Sequence, residues 1–186
     1  MATLTYLALT SLDGYTVDAR GDFQWAAPDV EVSTFVNDLE RGVGTYLFGR
    51  RMYETMLFWE GYESEPDDAE SVRDFARIWN AADKVVYSRT LESTASERTR
   101  LEREFEASAV AQMKATATSD LSIGGAHLAG HAMELGLVDE VHLFVVPHLV
   151  GGGTSALRGD VRASLELVGL DRFGAGVVHL HYRTLT

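Results

Sequence analysis

Three short, mostly apolar runs, residues 45–48, 84–87 and 121–123, each stop at a glycine or a polar turn. They are too short for helices and show no apolar–polar alternation, the pattern of strands buried on both faces. Such a sheet needs helices above and below it, and the intervening segments supply them.

Pro28 and Asp29 open a predicted helix whose apolar face carries Val32, Phe35, Val36 and Leu39, ending near Gly42. Further helices are predicted over residues 50–58, over 67–81 with Val72, Phe75, Ile78 and Trp79 inward, and over 126–135. The charged stretch 97–114 reads as a surface helix carrying Leu101, Phe105 and Val110. Residues 3–9 alternate as a first strand, and 140–146 form a longer apolar one. Segments 164–170 and 177–183 flank Gly174-Ala175-Gly176 and predict a closing hairpin, whereas Gly151 to Gly153 reads as a loop. The expectation is one α/β domain over residues 1–186, with a mostly parallel central sheet and an antiparallel C-terminal edge.

A chain of 186 residues can bury a sizeable core. Its net charge of −12 argues against a nucleic-acid partner, since Lys and Arg are not in excess to displace counterions. The absence of cysteine excludes disulfides and thiol chemistry. No apolar run approaches the roughly 20 residues that cross a bilayer. The first residues, lacking a basic segment, are not read as a secretory leader, so a cytoplasmic location is expected.

Ligands of parallel sheets gather beyond the carboxyl ends of strands. The junctions there are Gly49-Arg50-Arg51, Ser88-Arg89 and Ile123-Gly124-Gly125-Ala126. Guanidinium groups and hydroxyls suit a phosphate, and glycines before a helix let a ligand approach main-chain amides. A dinucleotide across three strand ends fits this set. Asp13, Asp29 and Glu31 are the candidate proton donors or substrate anchors. Asp13 is equally a natural turn residue, and Asp29 a natural first-turn residue. His179 and His181 alternate on one strand face, but no third ligand accompanies them, so they read as surface residues and no metal is expected.

These pieces, in this order, resemble the reductase half of the bacterial bifunctional riboflavin-pathway deaminase–reductase, a branch of the dihydrofolate reductase superfamily. The resemblance rests on Ser11-Leu12-Asp13-Gly14 with Gly21-Asp22-Phe23-Gln24-Trp25, on Gly49-Arg50-Arg51-Met52-Tyr53-Glu54, and on Ser88-Arg89. It extends through Ile123-Gly124-Gly125, Gly136-Leu137-Val138-Asp139-Glu140, Pro147 and Gly151 to Gly153. It implies a dihydrofolate reductase-like three-layer α/β/α fold and an NADPH-dependent reductase. The hydride acceptor would be an imine or ring-opened ribosylamine of an aminouracil phosphate, or alternatively a pteridine. A non-catalytic NADPH-binding module is the other alternative.

By the same resemblance Gly124 and Gly125 lie beneath the pyrophosphate, with Gly49, Arg50, Arg51, Ser88 and Arg89 toward the adenosine end and Ile123 and Ala126 beside them. Trp25 and its loop would exclude water. Leu7 stands where the riboflavin-pathway enzymes commonly carry lysine, and Ile123 where they tend to have glutamate. A homodimer is also implied, through the strand over 140–146 or the tail hairpin.

Overall fold

The structure, a computed structural model, describes residues 1–63 and 65–185. Its main sheet holds eight strands: β1 (Leu4–Ser11), β3 (Val43–Gly49), β4 (Asp83–Tyr87), β5 (Thr99–Glu102), β6 (Asp120–Gly124), β7 (Glu140–Val146), β9 (Ser164–Arg172) and β10 (Val178–Leu185). The spatial order is β5-β4-β3-β6-β1-β7-β10-β9; the first six run parallel, and the last two add antiparallel at one edge. The expected fold class is what the chain forms. A separate two-stranded ribbon joins β2 (Tyr15–Asp18) to β8 (Gly153–Ser155), so the triple glycine leads into a strand instead of forming only a loop.

Five helices sandwich the sheet. α1 (Val30–Glu40), α2 (Arg50–Met56) and α3 (Glu70–Ala81) cover one face. α4 (Ala107–Thr116) and α5 (Ala126–Glu134) cover the other, over Leu4, Tyr6, Leu47, Val85 and Ile123. α1 starts where Asp29 accepts the Val32 amide at 2.9 Å. It is tied to α3 by Asn37, whose side-chain amide donates to the Ser71 carbonyl at 2.8 Å. α5 lies close against the sheet because it turns Ala129 and Ala132 into the core, while Gly130 is buried under the Arg158 side chain.

One sequence expectation fails here, and one shifts at its start. The helix over 97–114 is replaced by β5 and the shorter α4. Arg98 has φ of 53°, which breaks a helix, and its carbonyl accepts the Lys84 amide at 2.8 Å to start the pairing with β4. Only Leu101 of β5 packs inward, against the cluster of Trp79 and Val86, so a single apolar residue carried the signal. The helix over 67–81 begins later, at Glu70.

The strand over 140–146 is also corrected as a dimer interface: β7 lies between β1 and β10, with both hydrogen-bonding edges taken. Among the described residues no helix is long and apolar enough to cross a membrane.

Candidate active site

β3 and β6 are neighbours, with Phe48 opposite Gly124, and the helices that follow them leave toward opposite faces. Their tips therefore bound the crevice at which this sheet's connections diverge. Gly125 is the N-cap of α5, and among the described residues no side chain bonds the first amides of that helix, whereas the Asp29 side chain accepts one of those of α1. The first-turn N–H groups of α5 are thus free for an anion.

Side chains gather on the β4 side of this crevice. Arg50 donates to Glu54 Oε1 at 2.7 Å and to Thr90 Oγ1 at 3.0 Å; Arg51 is exposed. Ser88 is buried, and its hydroxyl oxygen accepts the Thr90 and Leu91 amides at 3.3 and 3.0 Å, fixing the turn that displays Arg89. Arg103, which the sequence reading did not single out, donates from Nη1 to the Ser88 and Leu91 carbonyls at 3.1 and 2.5 Å. A shallow cavity of ≈ 350 Å³ opens here, lined in part by Tyr87, Arg89, Arg103, Phe105 and His131. A comparable depression of ≈ 310 Å³ near Arg41 and Asp74 lies at the opposite ends of the strands. Its polar rim is already joined by the 2.9 Å ion pair of those two residues.

The glycine pair has a more internal reason than the sequence implied. A Cβ on Gly124 would stand 2.7 Å from the Phe48 ring and 3.2 Å from Met52 Cγ, so protein atoms fill that space. Gly125 has φ of 91°, a conformation that disfavours side chains, and its Cβ would lie 3.3 Å from Met52 Cβ. Ile123 is fully buried in the core and offers the crevice only its backbone; Ala126 opens α5. Gly49, the N-cap of α2, has only ordinary contact at its Cβ position.

The proposed substrate-side residues are each engaged in the scaffold. Asp13 accepts the Val150 amide at 3.2 Å and the Gly151 amide at 2.7 Å, pinning the loop after β7 to the β1–β2 turn. A hydrogen bond from the Ser11 side chain, with those amides, holds Asp13 below the usual carboxylate range. It is therefore ionised at neutral pH, suited to fixing a cationic ring and unsuited to donating a proton. Asp29 caps α1, and Glu31 accepts the Gly174 amide at 2.9 Å. Trp25 donates from Nε1 to the Asp22 carbonyl at 3.0 Å and packs on the cluster of Val32, Phe144 and Phe173, beside Leu7 and Phe35.

A second constellation joins β7 to β10. His142 and His179 are buried, at 4% and 2% exposure, which corrects the reading of His179 as a surface residue. His142 Nδ1 and His179 Nε2 are 2.9 Å apart, and His179 Nδ1 is 3.0 Å from Asp171. Burial, with two imidazole neighbours, pushes the His142 pKa down to about 3, so this ring is neutral. His181 stacks on His142 with centroids 4.1 Å apart, and Glu140 completes the group. The groups that meet His181 are thus Glu140 and His142 on the neighbouring strand, where only pairing reveals them, and the His179 paired with it in the sequence stands behind His142.

Helices on both faces of a mostly parallel sheet, with free helix amides and clustered guanidiniums at the crevice, define an α/β domain whose crevice suits an anion. The chain belongs to the RibD C-terminal domain family, whose profile matches residues 2–179. It is 29% identical over 181 residues to the uncharacterized protein YyaP of Bacillus subtilis strain 168, covering 95% of this chain and 91% of that one. A protein assigned to riboflavin biosynthesis in Shewanella sp. PV-4 superposes with a TM-score of 0.76 at 20% identity over 100% of both chains. A pyrimidine reductase-like protein of Corynebacterium diphtheriae gives 0.68 at 14% identity, covering 100% of this chain and 92% of that one. The deaminase/5-amino-6-(5-phosphoribosylamino)uracil reductase of Thermotoga maritima gives 0.67 at 15%, covering 99% of this chain and 57% of that one.

Proposed function

We propose that this chain is an NADPH-dependent reductase of a small aminouracil or pteridine-like heterocycle, the aminouracil phosphate being the first choice. One observation carries the reading: an acidic protein of net charge −12 gathers Arg50, Arg89 and Arg103 at the tips of β3 and β4, next along the sheet from β6 and the uncapped amides of α5. The crevice fits the coenzyme's charge pattern, with amides for a pyrophosphate and guanidiniums for a further phosphate. NADPH, when bound, supplies the hydride. The protein's part is to orient that donor against the substrate and to keep water away. Trp25 and its turn cover the β1 tip, Asp13 holds the 150–151 loop in place, and Asp29 and Glu31 are the candidates for relaying a proton.

Arg89→Ala and Arg103→Ala should each raise the Kd for NADPH roughly 10- to 100-fold while changing that for NADH little, the size of a lost charge-assisted phosphate contact. Fluorescence titration of both coenzymes reads this directly. Turnover is read by reduced-coenzyme oxidation against a panel of ribosylaminouracil phosphates and pteridines. Equal weakening for both coenzymes would move the third phosphate elsewhere, and no saturable binding would remove the coenzyme. Leu7 packs in an apolar cluster where the riboflavin-pathway enzymes commonly place a lysine, which favours a binding module as the second reading. Tight NADPH binding without oxidation across the panel would establish that reading.

A homodimer is proposed through β9. This strand ends the sheet and exposes Leu165, Leu167 and Leu170 on one face, opposite Thr184, Tyr182 and Leu180, with Val168 exposed at a bulge between them, an edge of the kind that proteins usually cover. Light scattering should find the wild type dimeric and Leu167→Lys/Leu170→Lys monomeric. A monomeric wild type would remove the interface.

A further inference from the structure

The imidazole cluster lies away from the crevice: His142 stands four residues before Val146 at the end of β7, roughly 13 Å along the strand. Its protons are ordered from one end. The Asp171 carboxylate accepts from His179 Nδ1, so neutral His179 has a bare lone pair on Nε2. That lone pair accepts the Nδ1–H of His142, which leaves His142 Nε2 as a lone pair too. It faces Glu140 Oε2 at 3.7 Å, another acceptor. His181 Nε2 lies 3.1 Å from the same oxygen but out of line with it, and this buried nitrogen completes no hydrogen bond among the described residues. No aligned proton bridges the three atoms.

We propose that Glu140, His142 and His181 bind a divalent transition-metal ion of the zinc type, fastening the tail hairpin to the central sheet. Two imidazole nitrogens and one carboxylate oxygen are the donor set such ions take, with a remaining position for water. Bonds of about 2.0–2.1 Å around a tetrahedral ion place donor atoms ~3.3 Å apart. Here all three lie within 4.8 Å of one another. His142 is held by the His179–Asp171 chain, an outer shell that orients its ring. His181 is the ring that tilts: stacked at an interplanar angle of 18° it does not converge with His142, and its side chain is 21% exposed.

The test uses the full chain without a histidine tag, stripped of metal. Zn²⁺ is titrated in competition with a chromophoric chelator, and Co²⁺ is followed by its visible absorption. One equivalent should bind per chain, with the intense Co²⁺ bands of low coordination. Glu140→Gln and His181→Ala should each weaken Zn²⁺ at least tenfold. Asp171→Asn, acting only through His179, should weaken it roughly 10- to 100-fold. At a hundredfold excess over Kd, Zn²⁺ should raise the wild-type Tm by roughly 5–10 °C and leave that of His181→Ala unchanged. Should His181→Ala fail to fold, Glu140→Gln, conservative and partly exposed, decides. No saturable uptake, or equal uptake by wild type and variants, would overturn the site.

Discussion

Gly124→Ala is expected to lower stability by about 2–3 kcal/mol, at the upper end of the cost of overpacking a core. The added methyl would meet Phe48 Cε1 and Cδ1 at 2.7 and 2.8 Å. The ring has no room to yield, being 2% exposed and stacked on Tyr46 with centroids 5.4 Å apart. Chemical denaturation measures the loss, which corresponds to a Tm decrease of roughly 5–10 °C for a chain of this size. Phe48→Leu removes the ring atoms in question, so the double variant should lose less than the sum of the singles. Strict additivity would mean that the two residues do not meet.

The neighbouring glycine should behave differently. Gly125→Ala places a methyl against the flexible Met52 and strains a backbone at φ of 91°, a cost of about 1–3 kcal/mol. It also disturbs the first amides of α5, so NADPH affinity should fall at this position while the folded Gly124→Ala protein keeps most of it. The pair that marked the crevice in the sequence thus serves two purposes. One glycine admits a phenyl ring from the adjacent strand, and the other makes the turn into the helix.

That distinction shows what a single sequence can disclose. β3, β4 and β6 were legible because strands buried on both faces consist of little but apolar residues. β5 was not, because an exposed edge strand needs only Leu101 inside and its charges imitate a helix surface. The junctions around Gly49, Ser88 and Gly124 were visible as local breaks. Arg103 was not: it reaches the Ser88 turn from just past the end of β5, a contact made by strand pairing. His142 meets His179 and His181 for the same reason, across a register that no spacing encodes. Asp13, Asp29 and Glu31 were recognised as carboxylates near a strand end or helix start. The partner of Asp29, the Val32 amide, is three residues away and local, but the amides held by Asp13 and Glu31, in loops up to 143 residues away, lie beyond any local pattern.

The pH dependence of stability should carry the signature of Glu40. This carboxylate ends α1 inside the protein, 5% exposed, with Ser122 Oγ at 3.3 Å from Oε1. Tyr46 lies close enough to influence its titration, yet neither the Tyr46 hydroxyl nor Glu40 Oε2 completes a hydrogen bond. Burial raises its pKa from 4.5 to about 7. Between those values the folded chain keeps a proton that the unfolded chain has released, so rising pH draws the protein toward the unfolded state. The contribution is complete below pH 4.5 and is lost by pH 7, a change of about 3 kcal/mol. His142, with its pKa lowered from 6.5 to about 3, acts in the opposite direction over the acidic part of that window. The wild-type profile is therefore flattened by two opposing slopes of up to about 1.4 kcal/mol per pH unit each. The difference between wild type and Glu40→Gln removes the histidine term. That difference, from urea midpoints across the window, should shift by about 3 kcal/mol toward the variant as pH rises and stay level above it. A glutamine at this place can accept from Ser122 and donate to the unpartnered Tyr46 oxygen, so the variant should be the more stable protein under mildly alkaline conditions. A difference that stays constant across the window would show that Glu40 ionises like a carboxylate in water, and that the interior between α1, β3 and β6 is open to solvent.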